Sequence, residues 1–172
     1  LFTTTAQSAA TIEGAEQLIG GGCVILICYD GSDDAKAAIE NASVLFSGES
    51  AVVLTVWESF VELFTRTPGG HRGHVPADEK ELDHASRERA EQEAQAGATL
   101  ARDLGIDAAA TVRARSGTVA DTILAEADKL EPDAIVLGSR GLGSVASLLI
   151  GSVSHAVIQS ADRTVVTTPS SK

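Results

Sequence analysis

Short β-rich apolar runs alternate with helix-like runs from residue 23 to residue 168, and this alternation restricts the fold more than any other feature of the chain. "CVILICY" (23–29) reads as a buried strand. The following "SDDAKAAIENASVLF" (32–46) carries Ala35, Ala38, Ile39, Ala42, Leu45 and Phe46 at helical spacing. Ser32 is its N-cap candidate, and Asp33 and Asp34 suit the positive end of a helix dipole. "AVVLTVW" (51–57) is a second strand, after which residues 58–78 form a long connection rich in Gly and Pro. Residues 79–104 read as a long helix whose apolar face is mostly alanine (Ala90, Ala94, Ala101) with Leu104. On its wet side Asp83 with Arg87, and Arg89 with Glu93, can pair at i, i+4, so its charge run is a solvated face. "DAAATVRAR" (107–115) is a third strand and "TVADTILAEADKL" (118–130) a third helix, stopped at Pro132. "DAIVLG" (133–138) is a fourth strand, and "RTVVTT" (163–168) a fifth after the last helix.

Strands separated by helices assemble into a mostly parallel sheet with helices on both faces. In such a sheet ligands bind at the carboxyl ends of the strands, where the winding reverses. Two loops are unusual: "YDGSDD" after the first strand and "GSRGLGS" after the fourth. If both line one site, their strands are neighbours and the order is 3-2-1-4-5. The expected fold is therefore α/β, an open five-stranded parallel sheet of that order.

At 172 residues and 44% hydrophobic content the chain suits one domain, placed at 23–172, with residues 1–22 as a flexible tail that holds at most a short helix at "IEGAEQLI". A formal net charge of −11 disfavours nucleic acid and anionic membrane as partners, because neither polyanion finds a basic field. A small molecule or another protein is expected instead. No apolar run approaches the roughly 18 residues of a membrane helix, and residues 1–22 lack the pattern of a signal peptide, which leads to the expectation of a cytoplasmic protein. Cys23 and Cys28 lie an odd number apart on one strand and so face opposite ways, as small core hydrophobes.

A Walker A pattern is absent, and "GLGSVA" (141–146) matches a dinucleotide fingerprint only weakly, since it follows the wrong strand and lacks the acidic residue after the next one. The spacing Gly138-x2-Gly141-x9-Gly151-Ser152 fits better. Without a Cβ, Gly138 and Gly141 allow close backbone approach to a ribose and phosphates, with positive φ available. Gly151 and Ser152 open the last helix, whose free N–H groups, dipole and Ser152 hydroxyl make an anion site, while Val153, Ala156 and Val157 face the core. Residues 142–150 would arch between the two contacts, with one helical turn at "VASLLI". Together with "DGS" after the first strand, "LGSRGLG" and "LLIGSVSHAVI" resemble the universal stress protein family in its ATP-binding branch, over residues 23–168.

The resemblance implies an adenine nucleotide, ATP with Mg²⁺, as ligand. It implies that Asp30 accepts hydrogen bonds from the ribose hydroxyls, that Val56 and Leu137 flank the adenine beside Cys28, and that Gly138, Gly141, Gly151, Ser152 and Val153 line the phosphate end. Asp30 also suits a simple turn role in "YDGS", and Arg140 is either a phosphate contact or a solvated surface residue. No side-chain metal site is expected: His71, His74 and Asp78 have no further ligand near them, His84 lies on the wet helix, and His155 reads as a helix-surface residue. No general base stands near Gly151 and Ser152, so the expected role is a nucleotide-dependent stress sensor or regulator with at most slow hydrolysis. The alternatives are an ATPase or phosphotransferase using His155 or the 58–78 connection, and a binding module for another adenine ligand such as cyclic AMP. Phe60 and Phe64 raise the question of a lid. The fifth strand is an edge, and the family resemblance too implies a homodimer through it; Thr164 stands where the family often has Pro, and Thr167 and Thr168 make the strand less apolar.

Overall fold

The computed structural model describes residues 24–59, 79–142 and 150–169. The expected tail, Cys23, Phe60, Phe64, His71, His74, Asp78 and most of the expected arch lie outside them. Among the described residues nine elements alternate: β1 (Val24–Cys28), α1 (Asp33–Leu45), β2 (Ser50–Trp57), α2 (Glu79–Asp103), β3 (Asp107–Ala114), α3 (Val119–Leu130), β4 (Ala134–Gly138), α4 (Ser152–Ser160) and β5 (Thr164–Thr168). All strand pairs are parallel, as the alternation predicts, and the order is β3-β2-β1-β4-β5, as expected if the two unusual loops line one site. The winding reverses between β1 and β4, where Cys28 stands beside Leu137.

Two apolar layers cover the sheet because successive strand side chains point to opposite faces. On one face Ile25, Ile27, Ala51, Val53, Ala108, Ala110, Ala134 and Val136 meet α1 and α2. On the other Val24, Leu26, Val52, Leu54, Ile135 and Leu137 meet α3 and α4. Each fully buried Ile, Leu or Val contributes about 1.5–3 kcal/mol relative to leaving it in water.

The helices sit down through small residues. Ala94, Ala98 and Ala101 of α2 are fully buried, and a Cβ added at Gly97 would lie 2.9 Å from the Tyr29 ring, so this glycine lets α2 ride close to the end of β1. Ser32 caps α1 by accepting from the Ala35 N–H at 3.2 Å, as expected. Thr118 and Asp121 form a reciprocal capping box at the start of α3. On the wet side of α2 Arg89 pairs with Glu93 at 3.1 Å and Arg87 with Glu91 at 2.9 Å, and Ser59 donates to Asp83. Two apolar assignments fail: Leu45 is 61% exposed and Leu104 41%. Both lie at or just past a helix end, where the chain leaves helical geometry and the periodicity no longer points inward.

Among the described residues no helix is long and apolar enough to cross a membrane.

Candidate functional site

The carboxyl ends of β1 and β4 lie side by side, so the chain after Cys28 and the chain after Gly138 face each other. Gly31 turns the first of these with φ +77°, a value that disfavours any side chain, and thereby places Asp30 ahead of the α1 cap. The Asp30 carboxylate uses both oxygens. Oδ1 accepts from the Ser32 N–H at 3.0 Å, closing the turn, and Oδ2 accepts from the Leu142 N–H at 3.3 Å, across the crevice. The turn role and the crevice-lining position thus belong to one side chain. Gly141 makes the approach possible, since a Cβ there would stand 2.6 Å from Asp30 Oδ2.

The end of β4 is fastened on every side. Ser139 N–H donates to the Thr168 carbonyl at 2.8 Å, Gly151 N–H donates to the Ser139 carbonyl at 2.6 Å, and the buried Ser154 hydroxyl donates to the Gly138 carbonyl at 2.7 Å. The last two bonds dock the amino end of α4 against the end of β4. They also revise the expected phosphate chemistry. The Gly151 N–H is already engaged, which leaves the N–H groups of Ser152, Val153 and Ser154 as the first-turn donors without an intrahelical acceptor. None of Gly138, Gly141 and Gly151 has a positive φ; Gly138 and Gly141 are needed for space, whereas a Cβ at Gly151 would come only as close as 3.3 Å, to the Ser139 carbonyl oxygen. Gly138 makes room for α1, for a Cβ there would lie 2.7 Å from the Asp34 carbonyl carbon and 2.8 Å from the Ala35 nitrogen.

Cys28, Val56, Leu137 and Val153 come together on the α3 and α4 side of the sheet. Leu137 is buried and the other three are partly exposed, so they form an apolar wall at the crevice. Burial, and secondarily the Asp30 carboxylate, push the Cys28 thiol up to about 12. The fold therefore favours the neutral thiol. Its contribution to stability is complete below the ordinary thiol range and is lost as the pH rises from about 9 towards 12. At pH 8 the thiolate fraction is about three powers of ten below that of an unperturbed cysteine. In a Cys23→Ser protein, a chromogenic disulfide reagent should react with native Cys28 about a hundredfold or more slowly than with the urea-unfolded chain.

Arg140 is neither free nor freely solvated. Its Nε lies 3.1 Å from Asp34 Oδ2, its Nη2 3.4 Å from Oδ1, and its backbone N–H donates to Oδ2 at 3.0 Å. An open cleft of about 350 Å³ lies between residues 31–34 and 140–142. The apolar wall does not line it. His155 is exposed one turn into α4, and His84 is exposed beside Glu88 on α2. Among the described residues no group of three His, Cys, Asp or Glu is arranged to hold a metal ion.

Asp34 is the residue that sequence reasoning missed. The helix-dipole reading treats it like Asp33, yet Asp33 is exposed and pairs with Lys36, whereas Asp34 is buried and pairs 105 and 106 residues away. Helical phase held a signal. Asp34 precedes the inward Ala35 and lies four residues before Ala38, on the flank of the buried stripe.

The comparisons with known proteins agree with this architecture. The sequence model of the universal stress protein family matches residues 24–169. A Thermus aquaticus protein described as a universal stress protein in the QAH/OAS sulfhydrylase 3′ region is 33% identical over 139 residues, covering 80% of this chain and 91% of that one. The solved structure of universal stress protein UspA from Lactobacillus plantarum is 25% identical with a TM-score of 0.62, covering 85% of this chain and 97% of its own. A universal stress protein family protein from Arabidopsis thaliana, solved with AMP bound, has a TM-score of 0.59 at 18% identity, over 87% of this chain and 92% of its own. Sheet order, the match along nearly all of the described chain and the identity to a curated relative lead to one conclusion: the chain belongs to the universal stress protein family.

Proposed function

We propose that this chain binds ATP, carried with Mg²⁺, in the crevice between β1 and β4, and acts as a nucleotide-dependent regulator of a stress response. The observation that carries the reading is the convergence of three unlike surfaces on that crevice. The apolar wall of Cys28, Val56 and Leu137 suits an adenine, Asp30 suits a ribose diol because a carboxylate only accepts hydrogen bonds, and the amino end of α4 at Ser152 and Val153 suits phosphate. The AMP bound by the Arabidopsis relative supports an adenine nucleotide. Among the described residues no group of side chains is arranged as a cage for Mg²⁺, and the ion in this reading is held mainly by phosphates and water. When bound, such an ion would neutralise phosphate charge in a chain of net charge −11.

Among the described residues no poised base stands by the α4 terminus, so turnover slower than about 1 s⁻¹ is expected, below the usual enzyme range. Calorimetric titration of ATP and AMP, with mass spectrometry of the undialysed protein for a co-purifying nucleotide, tests the binding. In Gly141→Val the added side chain drives the Asp30 carboxylate off its position, 2.6 Å from the new Cβ. Loss of its charge-assisted hydrogen bonds costs about 1.5–3 kcal/mol, so both nucleotides should bind roughly tenfold to a hundredfold more weakly. Unchanged affinity in a folded Gly141→Val protein would refute the assignment of Asp30 to the ribose.

The same reading extends to a homodimer through the edge strand β5, whose Val165 and Val166 are only partly covered within one chain. Sedimentation at the mass of a single chain, at tens of micromolar, would exclude it.

A further inference from the structure

We infer that Asp34 is a positioning residue for phosphate, one that sets the affinity for phosphate-bearing ligands without touching them; the inference rests on the nucleotide reading above. Asp34 is 5% exposed and sits in the first turn of α1, on the opposite side of β4 from the apolar wall. Its Oδ2 collects the Ser139 hydroxyl at 2.9 Å, the Arg140 N–H at 3.0 Å and the Arg140 Nε at 3.1 Å. These are the two residues between β4 and Gly141. Gly138 is bare because Asp34 lies over it, with 2.9 Å from the position of an added Cβ to the Asp34 Cβ.

What Asp34 holds is itself attached to the proposed anion site. The Ser139 carbonyl accepts the Gly151 N–H at 2.6 Å and the neighbouring Gly138 carbonyl accepts the Ser154 hydroxyl at 2.7 Å, so residues 138 and 139 are the seat of the α4 amino end. One buried carboxylate therefore determines where the first turn of α4 points and where Arg140 is kept. Asparagine has nearly the same shape but no charge: its amide oxygen can accept in the place of Oδ2, but its NH₂ then faces the Arg140 Nη2 donor in the place of Oδ1, and the ion pair that holds Arg140 is lost. The substitution should leave the sheet intact while loosening this seat. Adenosine, which has no phosphate, does not use the α4 end and should not sense the change.

The test is calorimetric titration of ATP and of adenosine into the wild-type protein and Asp34→Asn, with amide hydrogen exchange at residues 139–142 and 151–154 and circular dichroism as a check of folding. The expected result is ATP affinity lower by about tenfold or more, adenosine affinity within about twofold of wild type, and faster exchange at both segments. Equal ATP affinity in the two proteins overturns the role of Asp34 and leaves the nucleotide reading standing. An equal loss of ATP and adenosine shows general damage and also overturns it. A wild-type protein that binds neither ligand overturns the nucleotide reading, and the inference falls with it. Should Asp34→Asn fail to fold, Ser139→Ala, which removes a single bond to Asp34, is carried through the same titrations with the same outcomes, at an expected severalfold loss for ATP.

Discussion

Gly138→Ala is expected to lower the stability of the fold by about 3 kcal/mol, although alanine is ordinarily the better residue within a strand. The added methyl would stand 2.7–2.9 Å from the Asp34 carbonyl carbon, the Ala35 nitrogen and the Asp34 Cβ. Two of these are backbone atoms of the first turn of α1, which the Ser32 cap and the Asp34 bonds to Ser139 and Arg140 hold in place. No rotamer change relieves such an overlap, so β4 and α1 must separate. Overpacking of this kind sits at the top of the usual range of about 1–3 kcal/mol or beyond it, and the reduced freedom of the unfolded chain returns less than about 1 kcal/mol. A fall in melting temperature of about 9 °C follows for a chain of this size. Gly151→Ala is the control: its nearest neighbour would be the Ser139 carbonyl oxygen at 3.3 Å, and it should cost about 1 kcal/mol or less. Urea unfolding of both variants measures the difference. A Gly138→Ala protein as stable as wild type would show that β4 and α1 are less tightly joined than these distances indicate.

Arg113→Ala should cost a similar amount for a different reason. Glu126 of α3 is 1% exposed. Its carboxylate is met by Arg113 of β3, whose Nε lies 2.7 Å from Oε2 and whose Nη2 contacts Oε1, while Lys129 reaches Oε2 at 3.4 Å from the solvent side. Removing the guanidinium leaves a buried charge with one distant, mostly exposed partner. Breaking a buried pair in this way costs about 3–5 kcal/mol, and the lower end applies because Lys129 remains and Arg113 itself is 30% exposed. The pair is not thereby a large net source of stability, since both ions were desolvated to form it. Replacing both at once, with Arg113→Met and Glu126→Leu, should recover most of the loss. Melting temperatures of the single and double variants decide this. A double variant no better than Arg113→Ala would mean that the ion pair contributes more than its desolvation costs.

These two sites share a property with Asp30 and Asp34: their partners are far off in sequence. Arg113 and Glu126 are 13 residues apart, Asp30 and Leu142 112, and Asp34 and Arg140 106. Helical phase puts Glu126 on the stripe of Ile123, Ala127 and Leu130, but nothing local names the partner of its carboxylate. That partner, Arg113 of β3, is met only once α3 packs over β2.

The sequence by itself determined the elements, their order in the sheet and the two loops that meet. Alternation of strand and helix is written within windows of a few residues, and the right-handed crossover leaves few ways to wind such a chain. The Ser32 cap and the inward positions of α1, α2 and α4 were legible for the same reason, up to the helix ends where Leu45 and Leu104 turn out to solvent. Tertiary structure alone decided which of two adjacent aspartates is buried, that Gly138 makes room for α1, that the Gly151 N–H is already bonded, and that Arg140 is held by a carboxylate. Local periodicity states which face of an element looks inward. It does not state what that face will meet, and the energy of a charge or a bare backbone depends on the group placed against it across the core.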